Sequence, residues 1–261
     1  MDLNLKGKLA LVCGSTQGIG KASAIELAQL GATVTLLARD EIKLKSVLRE
    51  LSSIEGQKHD FIIADFSFPD QVKSAIEKYV SSNEVHILIN NTGGPPAGQA
   101  IDAKPEDFLV AIKAHLICSQ ILVQACVPAM KKNKYGRIVN IISTSVKIPI
   151  KGLGVSNTVR GAMASWSKTL SLELAPFGIT VNNVLPGSTK TGRIDSIIQT
   201  RAQKSGRTPE EIRQDMIDEV PAGRMAEPSE IAAAVAFLAS PAAGYINGVS
   251  LPVDGGRTGS L

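Results

Sequence analysis

Cysteine is scarce in the sequence, and histidine is as rare. The three cysteines, Cys13, Cys118 and Cys126, form no Cys-x-x-Cys pair. None of the three histidines stands at ligand spacing from another histidine or a cysteine, so we expect no metal site. Each cysteine lies in an apolar run, and we therefore expect reduced, buried thiols in a cytoplasmic protein.

Three other absences exclude further classes of protein. The first residues lack the charged and then apolar pattern of a secretory signal peptide. We find no run of about 18 apolar residues and expect no membrane span. The net charge is only +4 and lysine and arginine form no dense run, so we expect no nucleic-acid partner.

The remaining composition is that of a globular protein with a sizeable core. Of the 261 residues, 44% are hydrophobic and 20% are charged, which is too apolar for a disordered chain. No linker, internal repeat or low-complexity tract divides the chain. We therefore predict one α/β domain over residues 1–261, with a helical substrate lid at about 188–222.

A glycine-rich turn near the N-terminus provides the first functional signal. It joins a predicted strand over 8–13 to a helix over 21–30, and a second strand follows over 32–38. Such a turn lets a pyrophosphate approach the backbone and the N-terminus of the helix. The glycines follow a Gly-x-x-x-Gly-x-Gly spacing, and a purely structural turn is the alternative. The predicted cofactor-binding residues here are Gly14, Ser15, Gln17, Gly18, Ile19 and Gly20.

The end of the second strand indicates which dinucleotide binds. An acidic residue at this place would bind the ribose hydroxyls of NAD, but the chain has Ala38 followed by Arg39. The guanidinium of Arg39 suits the 2′-phosphate of NADP. We therefore favour NADP(H) over NAD(H), with a solvated loop charge as the alternative for Arg39.

Three later strand ends are predicted to complete the cofactor site. Asp65 follows a strand over 61–64 and either accepts a hydrogen bond from the adenine amino group or caps the next helix, with Ser67 as the competing cap. The loop after the strand at 85–89 would lie over the cofactor in a doubly wound sheet, and the strand at 179–185 ends in Pro186 and Gly187. The further predicted cofactor-binding residues are Phe66, Asn91, Thr92, Gly93, Pro186, Gly187, Thr189 and Thr191.

A strand over 137–143 and a helix over 157–175 meet where open α/β sheets place their chemistry. The loop between them and the helix start contribute Ser143, Ser156 and Arg160. A long helix over 106–131 precedes them and is apolar on several faces, which predicts burial by the sheet and by another subunit.

The combined motifs resemble the short-chain dehydrogenase/reductase family, and especially its bacterial β-ketoacyl-(acyl-carrier-protein) reductases. The pieces that carry this resemblance include the turn 14–20, the Asn-Asn-Thr-Gly at 90–93, Ser143, the Pro-Gly at 186–187 and the Asp-Gly-Gly at 254–256. The resemblance implies a seven-stranded parallel sheet with helices on both faces, a Rossmann-type doubly wound fold. It also implies an NAD(P)-dependent oxidoreductase that forms a homotetramer or homodimer through the helices at 106–131 and 157–175.

The catalytic positions of that family are only partly matched. Most members carry Asn, Ser and a Tyr-x-x-x-Lys pair. In this chain Ser143 stands at the Ser position, Ser156 at the Tyr position, Arg160 at the Lys position and His115 at the Asn position. A serine hydroxyl is a far weaker acid than a phenol, and an arginine does not readily release its proton.

Our hypothesis assigns a role to each of these four catalytic residues. Ser143 and Ser156 hold a carbonyl oxygen, Arg160 anchors the cofactor, and His115 or a water chain from it delivers the proton. The alternative for His115 is a hydrogen-bonded core residue at a helix irregularity. Lys147 and Lys151 have three alternative roles: a second source of the proton, a contact for an anionic substrate tail, or a surface charge without a role in the site.

Two functions are compatible with the sequence. The first is hydride transfer between NADP(H) and a small carbonyl compound or secondary alcohol. The second is dinucleotide binding without turnover, as in a sensor or a scaffold. The glycine-rich turn predicts binding in both cases, so turnover separates them.

Overall fold

Seven parallel strands form one sheet in the order β3-β2-β1-β4-β5-β6-β7. The computed structural model describes residues 1–260. The order reverses between β1 and β4, and ligands of doubly wound sheets bind at this point, beyond the carboxyl ends of the strands. The predicted fold is confirmed. The strands are β1 Leu9–Cys13, β2 Thr33–Ala38, β3 Asp60–Ile63, β4 Ile87–Asn90, β5 Gly136–Ile141, β6 Ile179–Pro186 and β7 Ser250–Val253.

Helices cover both faces of this sheet. One apolar cluster packs α1, α2 and α9 on one face, and another packs α3, α5 and α6 on the other. The helices are α1 Gly18–Gln29, α2 Glu41–Leu48, α3 Pro69–Val80, α4 Pro105–Ile112, α5 Cys118–Lys132, α6 Gly154–Leu174, α7 Gly192–Ser205, α8 Pro209–Asp218 and α9 Pro228–Ala239.

Strand β1 shows why the sheet is buried on both faces. Its alternate residues Ala10 and Val12 belong to the cluster under α1 and α9. Leu11 and Cys13 belong to the cluster under α3 and α5. Successive side chains point to opposite faces of a strand, so a continuous apolar run is what a sheet covered by helices on both faces requires.

The long helix predicted over 106–131 is not one regular helix. A π-helical segment, Lys113–Ile117, separates α4 from α5 and has His115 at its centre. Apolar periodicity alone does not reveal such an irregularity, because the extra residue adds less than one turn. The consequence is local: the π-helical segment carries the predicted catalytic histidine.

One helical segment, Pro105–Lys132, is long and apolar enough to cross a membrane by length and composition alone, with a mean hydropathy of 1.6 in its most apolar window. Polar residues such as Lys113 and Gln124 interrupt it, so it is not a continuous apolar run. Leu122, Cys126 and Met130 of this segment are fully buried against the sheet. It is therefore a core helix of the α/β domain.

Three helix starts differ from prediction, and the first is that of α1, which begins at Gly18, three residues earlier than predicted. Neither Asp65 nor Ser67 caps α3, because Phe68 occupies that position, and the Asp65 carboxylate instead accepts from the Ser67 N–H at 2.8 Å. Helix α6 begins at Gly154, three residues earlier than predicted. The predicted lid region contains α7 and α8, and α8 begins with a capping box formed by Thr208 and Glu211.

The three cysteines are unpaired and buried, as predicted. Burial raises the pKa of the Cys118 thiol to about 11 and that of Cys126 to about 12, and raises that of Cys13 as well. The thiols are therefore protonated and unreactive at neutral pH. Within residues 1–260, no group of three or more His, Cys, Asp or Glu side chains is placed to hold a metal ion.

Candidate active site

A cavity of about 940 Å³ opens at the carboxyl ends of the strands, beside the point where the strand order reverses. It brings together nearly all residues that the sequence singled out. The predicted residues that line it are Gly14, Gln17, Gly18, Ile19, Arg39, Asp65, Phe66, Asn91, Thr92, Gly93, His115, Ser143, Ser156, Arg160, Pro186, Gly187, Thr189 and Thr191.

Two predicted cofactor residues lie outside the cavity lining. Ser15 is fully buried, and its hydroxyl donates weakly to the Leu37 carbonyl oxygen at 3.5 Å. Gly20 packs against the turn itself, where a Cβ atom would lie 2.2 Å from the Gly14 carbonyl oxygen. Gly20 therefore closes the turn, and direct contact of either residue with a cofactor stays a prediction.

The start of α1 provides the phosphate end of the cavity. Its N-cap residue is Gln17, whose side chain makes no capping hydrogen bond, and the first turn holds no acidic residue. The backbone N–H groups of this turn therefore stay available to an anion, and the helix dipole favours one. Gly18 has a φ of 55°, which favours glycine. These features fit the pyrophosphate of a dinucleotide.

Arg39 and Asp65 face each other across the adenosine end of the cavity. Arg39 Nη1 lies 3.6 Å from Asp65 Oδ2, and the Arg39 side chain is 76% exposed. A hydrogen bond from the Ser67 N–H, assisted by Arg39, lowers the pKa of Asp65. An exposed pair of this kind is weak, so Arg39 is free to turn toward a 2′-phosphate.

The two serines stand at the opposite end of the cavity. Ser143 comes two residues after β5, and its Oγ accepts a hydrogen bond from the Ser145 N–H at 3.1 Å. Ser156 lies in the first turn of α6 and is buried. Its hydroxyl takes part in none of the hydrogen bonds found over residues 1–260. Both hydroxyls can therefore donate to a carbonyl oxygen in the cavity.

Arg160 joins α6 to the end of β5. Its Nη1 donates to the Ile141 carbonyl oxygen at 2.9 Å. Burial, followed by the charge of Arg193, lowers its pKa to about 10. The guanidinium therefore remains a cation at neutral pH, held next to Ser143 and Ser156.

His115 is a neutral side chain at physiological pH. Burial and then the charge of Arg160 lower its pKa to about 2, although a hydrogen bond with the Gly93 backbone acts in the opposite direction. A protonated imidazolium is therefore not available as an acid. The neutral ring can still accept or donate a hydrogen bond in a water chain. Its place in the π-helical segment also matches the alternative of a core residue at a helix irregularity.

The walls of the catalytic end are tied together by backbone contacts. Gly98 donates its N–H to the Gly152 carbonyl oxygen at 2.8 Å, and Gly154 donates to Gly98 at 2.9 Å. The Asn157 side chain closes the loop before α6 by donating to the Ile150 carbonyl oxygen at 2.9 Å. This role of Asn157 was not predicted, although an amide side chain at a helix start commonly binds loop backbone.

Three cationic residues lie in or near the cavity. Lys147 and Lys151 are exposed and do not line it, which favours the plain surface charge among their alternatives. Arg193, which the sequence analysis did not single out, does line it and donates from Nη2 to the Pro95 carbonyl oxygen. No local motif marks this arginine, because its position depends on how α7 folds over the sheet.

Comparisons with known proteins agree with this geometry. The family described as Enoyl-(Acyl carrier protein) reductase matches residues 14–258. The 3-oxoacyl-[acyl-carrier-protein] reductase FabG of Haemophilus influenzae is 34% identical over 97% of this chain and 98% of its own length. The L-sorbose reductase of Gluconobacter frateurii, solved with NADPH and L-sorbose, superposes with a TM-score of 0.92, at 29% identity and full coverage of both chains.

A third relative is the actinorhodin polyketide ketoreductase, solved with NADPH. It gives a TM-score of 0.90 at 31% identity, over 97% of this chain and 98% of that one. These relatives are reductases, and both solved structures hold NADPH. The predictions that the protein is an oxidoreductase and that it prefers NADP(H) are therefore confirmed. The chain belongs to the short-chain dehydrogenase/reductase family.

Proposed function

We propose that this protein reduces a small carbonyl compound with NADPH, using Ser143, Ser156 and Arg160 at the reacting centre. One observation carries the proposal: a single cavity joins the phosphate-binding turn to these three side chains. Bound NADPH supplies the hydride. The residues of the chain orient the carbonyl group, stabilise the charge that develops on its oxygen and handle the proton.

The two serine hydroxyls bind the carbonyl oxygen as hydrogen-bond donors. Arg160 places a buried positive charge beside them, and such a charge stabilises a developing alkoxide. The hydrogen bond from Arg160 to Ile141 holds this charge in place before the substrate arrives. In this arrangement the chain stabilises the oxyanion without a phenol.

The proton for the alkoxide comes from water. Ser156 is too weak an acid to supply it, and Arg160 keeps its proton at neutral pH. The neutral ring of His115, buried between α4 and α5, orders the water chain through its hydrogen bonds. A strongly basic alkoxide takes a proton from such a chain without a dedicated acid.

The experiment is an assay of NADPH oxidation with a panel of ketones, aldehydes and oxo acids. A parallel titration measures NADPH binding by fluorescence. The proposal expects binding, and turnover of at least one class of compound that the Arg160→Met substitution removes. Tight NADPH binding without turnover of any compound would instead favour a sensor or a scaffold.

We also propose that the protein is a cytoplasmic homotetramer or homodimer. Leu109, Val110, Ile117 and Leu172 are exposed at 56, 62, 41 and 68% on α4, on α6 and on the π-helical segment. Exposed apolar groups of this size are typical of a subunit interface. Light scattering coupled to size-exclusion chromatography gives the oligomeric state. The three buried free thiols support the cytoplasm, which cell fractionation tests.

A further inference from the structure

Two arginines at the catalytic end of the cavity lack an acidic partner. Arg160 and Arg193 both line it, and none of the ion pairs found over residues 1–260 includes either side chain. Arg193 lies close enough that its charge lowers the pKa of Arg160 and of His115. Two guanidinium groups that repel each other at a partly buried site are costly unless an anion binds between them.

The acidic residues of the cavity do not offset these charges. Asp65 faces Arg39 at the adenosine end. Asp107 accepts from the Lys104 N–H at 3.0 Å, in the cap of α4. Asp102 lines the cavity but forms no ion pair with either arginine within the described residues. The positive charge beside the serines is therefore left for a ligand to neutralise.

The placement of Arg193 adds a second argument. It stands in the first turn of α7, where the helix dipole disfavours a cation. Its Nη2 donates to the Pro95 carbonyl oxygen, and its guanidinium packs against Gly94. The side chain is thus fixed over the cavity and not released to solvent. An anion bound there is stabilised by the guanidinium and by the helix start together.

A buried hydroxyl points to the same conclusion. Thr144 is 3% exposed and lines the cavity next to Ser143. Among residues 1–260, its Oγ1 has no hydrogen-bond partner. Buried polar atoms are nearly always paired, so this hydroxyl is available to a polar group of a ligand. The apolar side chains of Leu153, Ile194 and Ile197 pack together and form an apolar wall of the same cavity.

We propose that Arg193 binds the carboxylate of the substrate, and that the preferred substrates are oxo acids. This inference rests on the proposed function, because it names the class of carbonyl compound that the same site reduces. The carboxylate lies against Arg193, and the carbonyl oxygen lies between Ser143 and Ser156. The hydrocarbon part contacts the apolar wall.

The test compares matched substrates in variants of α7. Oxo acids with one to four carbons between the two functional groups are assayed beside their methyl esters. We expect wild-type protein to prefer an acid, by kcat/KM, over its ester. Arg193→Gln should lower kcat/KM for the acid roughly 10- to 100-fold, the size expected for a charge-assisted hydrogen bond, and leave the ester nearly unchanged.

Two variants provide the controls. Arg193→Lys keeps the charge and should recover part of the preference. Lys204→Gln removes an exposed cation from the same helix and should change kcat/KM for neither the acid nor the ester. Circular dichroism and thermal unfolding establish that each variant is folded. Calorimetric binding of the preferred acid to the NADP⁺ complex gives a readout without turnover, and Arg193→Gln should weaken it by a similar factor.

The outcomes separate the two proposals. If esters and acids are reduced equally well, and Arg193→Gln affects both alike, the inference is overturned while the proposed function stands. If Arg193→Gln weakens NADPH binding and leaves the preference for acids unchanged, the arginine serves the cofactor phosphates and the inference also fails. If wild-type protein binds NADPH but reduces neither class, the proposed function itself fails.

Discussion

Arg160 on α6 donates a hydrogen bond from Nη1 to the carbonyl oxygen of Ile141, the last residue of β5, at 2.9 Å. The helix that carries Ser156 and the strand that leads to Ser143 are thereby joined through one buried cation. The family places a lysine at this position. The arginine retains the positive charge and adds a planar group that can bind backbone and ligand at the same time.

The first prediction concerns the charge of Arg160. Arg160→Met removes it, and we expect kcat/KM to fall about 100- to 1000-fold, the usual loss for one oxyanion-stabilising group. Arg160→Lys keeps the charge and should retain intermediate activity. Steady-state kinetics on protein shown to be folded by circular dichroism measures both. Full activity of Arg160→Met would contradict the proposed role.

The second prediction concerns the two serine hydroxyls. Ser143→Ala and Ser156→Ala each remove one donor to the carbonyl oxygen, so each should lower kcat about 100-fold with little change in NADPH affinity. Ser165→Ala is the matched control, because Ser165 is exposed on the same helix as Ser156. An unchanged kcat in Ser156→Ala would remove Ser156 from the reacting centre.

The third prediction concerns the choice of cofactor. Arg39→Ala should raise KM for NADPH roughly 10-fold or more, because a charge-assisted contact with the 2′-phosphate is lost. KM for NADH should stay nearly constant. Arg49→Ala, at an exposed arginine just after α2, should leave both constants unchanged. An equal rise of KM for NADPH and for NADH would show that Arg39 does not bind the 2′-phosphate.

The fourth prediction follows from the low pKa of His115. This pKa is about 2 in the folded chain, against an ordinary value of 6.5. Between these values the unfolded chain binds the extra proton. The free energy of unfolding should therefore fall by about 1.4 kcal/mol for each pH unit below 6.5 as a result of this group.

The matching variant removes the titrating ring. In His115→Asn this part of the pH dependence should vanish, as measured by urea unfolding between pH 5 and 8. The stabilisation that neutral His115 contributes to the wild-type protein is fully present above pH 6.5. It is lost progressively as the pH falls below that value. Identical slopes in the two proteins would show that His115 is not held neutral.

The fifth prediction concerns the loop before α6. Asn157→Ala removes the hydrogen bond to the Ile150 carbonyl oxygen and should destabilise the protein by about 1 kcal/mol. Because Ile150 lines the cavity, KM for the carbonyl substrate should rise more than KM for NADPH. Thermal unfolding and steady-state kinetics measure the two effects. An equal rise in both KM values would place the loop outside the substrate site.

The sequence was informative wherever local chemistry determines structure. Short apolar runs followed by glycine or polar residues located the strands, and the turn before α1 had to be glycine-rich because a Cβ atom at Gly20 would strike Gly14. The capping box of α8 is local in the same way, since its two side chains lie only three residues apart.

The features that the sequence did not reveal depend on distant contacts. A helix irregularity at His115 was one alternative from the sequence, but its π-helical form was not predicted, because apolar spacing does not distinguish it from a regular helix. The burial that makes His115 neutral requires the whole fold. Arg193 reached the catalytic cavity only through the packing of α7 against the loop at Pro95.

The most direct test of the account follows the hydride itself. The protein is incubated with NADPH carrying deuterium at both C4 positions and with the best carbonyl compound of the panel, and the alcohol is examined by mass spectrometry. We predict one deuterium on the carbinol carbon in wild-type product, and at least a 100-fold slower transfer in Arg160→Met. Tight NADPH binding with no deuterium in any alcohol would contradict the claim that Ser143, Ser156 and Arg160 form a working reductase site.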